Sequence, residues 1–128
     1  MKTTYLQPSS LPVPAAPYVP GIRKGMFLFT SGQISVDGNG NVVGEGDIKA
    51  QTLQVLQNMK TILKEGGAKI ADVVKTTVFI ADINDFAAMN QVYTEFFGDC
   101  KPTRSTVQAT LARPTLLVEI EAIAIVAE

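Results

Sequence analysis

Apolar side chains recur along this chain with two different periods, and the switches between them lay out its elements. From Asp47 to Glu65, Ile48, Val55, Leu56, Met59, Ile62 and Leu63 return every three or four residues while Lys49, Gln54, Lys60 and Lys64 take the other side. That spacing predicts an amphipathic helix, ended by Gly66-Gly67. A second helix is expected over Asp85 to Phe97, capped by Asn84 and closed by Gly98, with Phe86, Met89, Tyr93, Phe96 and Phe97 as its buried stripe. Between the two, Asp72 to Ala81 reads as a central strand with apolar or threonine side chains on both faces: Val73, Thr77 and Phe79 on one, Val74, Val78 and Ile80 on the other. Two last strands are predicted at Thr103 to Thr110 and Leu116 to Val126, joined through Arg113-Pro114.

The first third of the chain follows other rules. Residues 1–20 hold five of the seven prolines, which remove backbone donors and predict an extended, non-helical arm wrapped on the rest. Gly21 to Ile34 carries two short β-prone runs broken at Lys24-Gly25, and Asp37-Gly38-Asn39-Gly40 offers a hairpin turn between Ile34-Ser35-Val36 and Asn41-Val42-Val43. The order predicts one domain over residues 1–128, an α+β sandwich with two helices laid on one sheet face. Two helices cover one side only, yet the strands at 72–81 and 116–126 are apolar on both, so the uncovered face is expected to pack against another copy of the chain.

Composition narrows the chemistry. The 128 residues are 46% hydrophobic and 18% charged, a globular balance that argues against disorder. Eleven basic against twelve acidic residues leave a net charge of −1, without the electrostatic footprint of a nucleic-acid binder. The chain contains no histidine, which excludes histidine general-base chemistry and the usual histidine metal sites. Cys100 is the single cysteine, so an intrachain disulfide and a CxxC site are both excluded, and its loop position reads as incidental. No stretch resembles a signal-peptide core or a membrane span, and cytoplasmic residence is the expectation.

The remaining candidates are an arginine and two carboxylates. Alternation along the strand from Thr103 puts Arg104, Thr106, Gln108 and Thr110 on one face. A guanidinium there reads either as a solvated edge charge or as a planar fork that grips a carboxylate at two points. Glu119 and Glu121 share a face of an otherwise apolar strand, as surface charges or as part of a site. The register between the two strands is not deducible from sequence, so whether these groups face one cavity stays open. Taken singly, Asn90 reads as satisfying a local backbone group and Tyr18 as a packing anchor for the arm. Gly38-Asn39-Gly40 with Gly44 misses the phosphate-loop spacing.

Together, Ala16-Pro17-Tyr18, Thr30-Ser31-Gly32-Gln33-Ile34, Val74-Lys75-Thr76-Thr77-Val78-Phe79, Asn90 with Tyr93 and Phe96-Phe97, Lys101-Pro102-Thr103-Arg104-Ser105 and Val118-Glu119-Ile120-Glu121-Ala122 resemble the reactive-intermediate deaminase family, also called Rid or YjgF. The resemblance runs from about Pro12 to Val126. It implies a chorismate-mutase-like α+β fold, three copies around a central barrel, and ligand clefts between neighbouring subunits. It implies hydrolysis of enamine and imine intermediates, such as 2-aminoacrylate and 2-iminopropanoate or 2-iminobutanoate, to 2-keto acids and ammonia without a metal or organic cofactor. By the same resemblance Arg104 holds the substrate carboxylate, Glu119 positions water, and Tyr18, Ser31 and Asn90 match family pocket positions; Gly32 and Thr106 are expected to bind substrate beside them, although Thr106 departs from the family pattern. Well-known members carry cysteine where this chain has Thr106, and many have glutamate where it has Gln108, departures that bear on substrate range.

Other functions fit parts of this pattern. An enamine from pyrimidine or aromatic-amine breakdown is an alternative substrate, and a non-catalytic metabolite-binding regulator would use the same arginine. Some relatives are described as endoribonucleases or translation inhibitors, but near-neutral charge and the lack of clustered basic and aromatic residues argue against RNA as a partner, and no membrane partner is expected.

Overall fold

The computed structural model describes residues 1–127. Seven strands and two helices follow in the order β1 (Thr3–Leu6), β2 (Gly21–Lys24), β3 (Phe27–Thr30), β4 (Gln33–Ile34), α1 (Ile48–Glu65), β5 (Val73–Ile80), α2 (Phe86–Phe97), β6 (Thr103–Gln108) and β7 (Val118–Ile125). They form one sheet in the order β1-β2-β3-β7-β5-β6, with β4 also paired to β7. All pairs are antiparallel except β5 with β6, whose parallel connection runs through α2.

Side-chain alternation builds the core. Val118, Ile120, Ala122 and Ala124 of β7, Val78 and Ile80 of β5 and Leu28 of β3 point to one face and are almost wholly buried. Val55, Leu56, Met59, Ile62 and Leu63 of α1 and Met89, Tyr93 and Phe97 of α2 cover them. Asp47 caps α1 by accepting from the Ala50 amide at 3.0 Å. The opposite face carries no helix. Phe27, Phe29, Val107 and Ile125 stand there more than 40% exposed, with the rings of Phe27 and Phe29 6.5 Å apart. This is the α+β architecture with both helices on one face and an uncovered apolar face on the other.

Several local expectations need correction. The face assignment along β5 fails at its start, because a bulge between Val73 and Lys75 shifts the register by one residue. Val73 therefore joins Thr76, Val78 and Ile80 on the core face, while Val74 is exposed. Asn84 does not cap α2: Asp82 accepts from the Asn84 amide at 2.9 Å, and a single 3₁₀ turn over Ile83–Asp85 leads into the helix. Phe86, in the first turn of α2, is exposed instead of buried in the stripe. The arm is not merely extended, since its first residues form β1 at the sheet edge, pairing Thr3 to Leu6 with Gly21 to Lys24. The expected hairpin turn at Asp37 to Gly40 is present but short: the Gly40 amide donates to Asp37 O at 3.0 Å with Gly40 at positive φ, and its flanks pair through the Val36 to Val42 bridge.

Candidate functional site

Arg104 is placed by three neighbours. It pairs in register with buried Thr76 of β5, which puts its side chain on the helix-covered face of the edge strand β6. There its guanidinium lies 4.8 Å from the ring centre of Tyr93 and 5.5 Å from that of Phe86, two residues seven apart on α2. Tyr93 is fixed in turn by a 2.6 Å hydrogen bond between its hydroxyl and Thr76 Oγ1. Burial raises the Tyr93 pKa from its ordinary value, opposed by the Thr76 hydrogen bond and the nearby Arg104 charge, so the phenol is neutral around pH 7. The ring presents a neutral face to the cation.

A cleft of about 360 Å³ opens beside this group, lined by Asn90, Tyr93, Phe97, Pro102 and Arg104 among others. Two polar atoms are buried without a hydrogen-bond partner among the described residues: Asn90 Oδ1, of a residue that lines this cleft, and Thr106 Oγ1, outside its lining but on the same face of β6 two residues beyond Arg104. The local role read for Asn90 is thus not met at its oxygen. A buried, unpaired polar atom costs about 1–3 kcal/mol, so a guanidinium that shares its cleft with the unpaired Asn90 oxygen suits a ligand carrying both an anionic group and a hydrogen-bond donor.

Glu119 lies elsewhere. It pairs with Phe79 of β5 and Ile34 of β4, on the face of the sheet that the helices leave open. Its carboxylate is half-buried against Gly32, where any Cβ would overlap it, so only glycine admits this approach. Desolvation, with a smaller contribution from Glu121, raises its pKa above the ordinary value of 4.5. Ser31, next along, donates its hydroxyl to Val19 O at 2.6 Å and its amide to Pro20 O at 2.8 Å. These bonds tie the arm down and leave Ser31 Oγ free only to accept. The arm turns tightly at Tyr18, whose amide donates to Ala16 O at 2.8 Å, and holds that ring 56% exposed. Tyr18 and Gly32 line a cavity of about 440 Å³ between the arm and the segment after β3.

The predicted residues therefore fall into two groups on opposite faces of the sheet. Arg104 and Thr106 face the helices from β6, with Asn90 on α2; Glu119, on the opposite face, rests against Gly32, next to Ser31, which is bonded to the arm that carries Tyr18. Gln108 belongs to neither pocket, since it is exposed and its Oε1 accepts from the Ile83 amide at 2.8 Å, bracing the turn before α2. Sequence reasoning missed the contribution of Tyr93 and Phe86 to holding Arg104. The signal was the i, i+7 aromatic pair on α2, which reads as core when β6 is not yet placed beside it. Among the described residues no group of three or more histidine, cysteine or acidic side chains could hold a metal, and no helix is long and apolar enough to cross a membrane.

The chain as a whole is similar to known proteins. Residues 9–126 match the family model described as Endoribonuclease L-PSP. A 2-iminobutanoate/2-iminopropanoate deaminase of Salmonella typhimurium is 44% identical over 117 residues, 89% of this chain and 91% of that protein. The 3-aminoacrylate deaminase RutC of Acinetobacter baylyi is 39% identical over 124 residues, 97% and 98% of the two chains. The crystal structure of the YjgF gene product of E. coli superposes with a TM-score of 0.87 at 40% identity, covering 95% of this chain and 98% of that one.

Proposed function

Because this chain belongs to the RidA/YjgF family, which the endoribonuclease L-PSP model describes, we propose that it is a deaminase of small 2-imino acids and their enamine tautomers, 2-aminoacrylate among them. Water adds to the imine carbon, the carbon–nitrogen bond breaks, and a 2-keto acid and ammonia leave. The observation that carries this reading is the Arg104 cluster, a guanidinium held against two rings in a cleft shared with the unpaired, buried Asn90 oxygen.

The chemistry follows from charge. A 2-imino acid carries its electrophilic carbon next to a carboxylate that repels nucleophiles. Arg104 pairs with that carboxylate at two points, neutralises it and fixes the direction of the C=N bond. Glu119 takes a proton from water as it attacks and returns one to nitrogen before ammonia departs, a contribution of about 10²–10⁴-fold. Its raised pKa suits both transfers, since the carboxyl then exchanges protons closer to neutrality. Asn90 Oδ1, in the Arg104 cleft, is an acceptor for the substrate nitrogen, and Thr106 Oγ1, further along the same face of β6, is a second unpaired group that can accept or donate. No metal or organic cofactor enters, because a protonated imine is already activated toward water.

Arg104 and Glu119 lie on opposite faces of one sheet, so the site is completed only when a second copy brings its Glu119 group to the Arg104 cleft of the first. We propose three copies in a closed ring, their open apolar faces meeting around a central barrel. The exposed Phe27, Phe29, Val107 and Ile125 support that packing.

Ammonia release from freshly generated 2-iminopropanoate and 2-iminobutanoate tests the reading. Wild-type protein is expected to accelerate it and Arg104→Ala to abolish the acceleration; equal turnover by the two defeats the role of the arginine. The A. baylyi relative favours a second substrate, 3-aminoacrylate, in which one more carbon separates carboxylate and nitrogen. Faster turnover of that compound in the same panel would select it.

A further inference from the structure

We propose that Gln51 and Asn58, two buried amides on α1, are positioning residues for Glu119: they grip the chain entering β7 and the turn leaving β4, the two segments that fix where its carboxylate sits. The inference rests on the role given to Glu119 above and extends it one layer inward.

The two residues are seven apart, two helical turns on one face, and stand wholly or almost wholly buried among Val55, Leu56, Met59 and Ile62. Polar side chains in such a row are tolerated only when every bond is made. Gln51 Nε2 donates to Thr115 O at 2.9 Å and to Gly44 O at 3.2 Å, and its Oε1 accepts from the Leu117 amide at 2.8 Å. Asn58 Nδ2 donates to Ile34 O at 3.1 Å and Val36 O at 3.0 Å, while its Oδ1 accepts from Gln54 Nε2 at 2.8 Å. Both amide orientations are forced, because a carbonyl can only accept and a backbone N–H can only donate.

These bonds converge on one residue. Leu117 precedes Glu119 by two positions, and Ile34 is its partner across the β4–β7 pair. The Ile34 carbonyl also accepts from the Val36 amide at 2.9 Å in a tight turn, so β4 stops after two residues. α1 holds that turn through Asn58, alongside the Ser35 Oγ bond to Val43 O at 2.6 Å and the Val43 amide bond to Ser35 O at 3.0 Å. Gly32, two residues before Ile34, is the surface against which the Glu119 carboxylate rests. If the turn loosens, that surface withdraws and water enters behind the carboxylate. The charges facing Glu119 are Glu121 on β7, two pairs along the same face Lys75 of β5 opposite Ile123, and, in the ring proposed above, Arg104 of the neighbouring copy, whose charge opposes the upward shift. β4 offers only Gln33 and Ile34, and β5 places Phe79 directly opposite.

Asn58→Leu removes both donors at similar size, and Gln54→Ala, at the half-buried rim, removes only the bond that Asn58 Oδ1 accepts. Each is read by kcat and KM on 2-iminopropanoate and by ¹³C titration of the Glu119 carboxyl in ligand-free protein. For Asn58→Leu we expect kcat to fall roughly ten- to 10²-fold, as for a misplaced catalytic group, with KM held by Arg104. The Glu119 midpoint should move down toward the ordinary carboxylate value, and Gln54→Ala should move both quantities less, in the same direction. A midpoint unmoved in both folded variants overturns the proposal, even if activity falls with the folded fraction. Should Asn58→Leu fail to fold, Gln54→Ala decides by its midpoint alone: a downward shift supports the proposal and no shift overturns it. An active Glu119→Ala protein would defeat the catalytic role of Glu119, while the titration tests positioning separately.

Discussion

Thr106 and Glu119 are both placed at some expense to folding. Thr106 Oγ1 is buried without a partner, so Thr106→Val, which keeps the shape and deletes the orphan, should leave the melting temperature equal or higher. If the hydroxyl serves the substrate, kcat/KM should fall in the same variant; a destabilised protein with full activity would assign the hydroxyl to structure instead. For Glu119, burial raises the folded pKa, so the native state binds its proton more readily than the unfolded chain. The resulting destabilisation is absent below the ordinary carboxylate pKa of 4.5 and complete above the folded pKa. Glu119→Gln should therefore melt higher than wild type at neutral pH, with the difference vanishing in acid, while activity drops about 10²–10⁴-fold. In the wild type, kcat/KM should rise with pH through a limb lying above 4.5, as the carboxyl becomes able to accept a proton. A variant that melts lower at neutral pH would contradict the desolvation argument.

At the scale of elements, α2 and β6 act as one unit through Arg104. Tyr93→Phe deletes the hydroxyl bonded to Thr76 and should cost about 1 kcal/mol, more if Thr76 Oγ1 stays unpaired, yet it retains the ring beneath the guanidinium. Tyr93→Leu removes the ring as well and should raise KM several-fold further, since a cation–π contact is worth about 0.5–2 kcal/mol. Equal KM values in the two variants would separate Arg104 from the ring. Much of this scale was legible in the sequence. Both helices emerged from their 3.6-residue spacing, and the face shared by Arg104 and Thr106 emerged from alternation, because those periods are set by local geometry. The bulge at Val74 was not legible, since one inserted residue leaves no mark in composition. Nor was β1, whose pairing with β2 across the proline-rich arm is a long-range choice. The site residues could be named from chemistry and resemblance, but not their division between two faces, which depends on register.

For the whole molecule, that division matters most. The helices bury one side of the sheet and leave Phe27, Phe29, Val107 and Ile125 on the other, an arrangement that invites further copies to close it. Sedimentation at micromolar concentration should give a trimer, and a monomer would remove the closed ring from the account. In the proposed ring each site would be a joint product, Arg104 from one copy and Glu119 from its neighbour. Arg104→Ala and Glu119→Ala, each inactive alone, can therefore be unfolded together in equal amounts and refolded into mixed assemblies. A site is intact only where a Glu119→Ala copy supplies the arginine and an Arg104→Ala copy supplies the glutamate, so about a quarter of wild-type activity should return. Mixed trimers, verified by mass, that stay as inactive as either parent would contradict a site built from two copies.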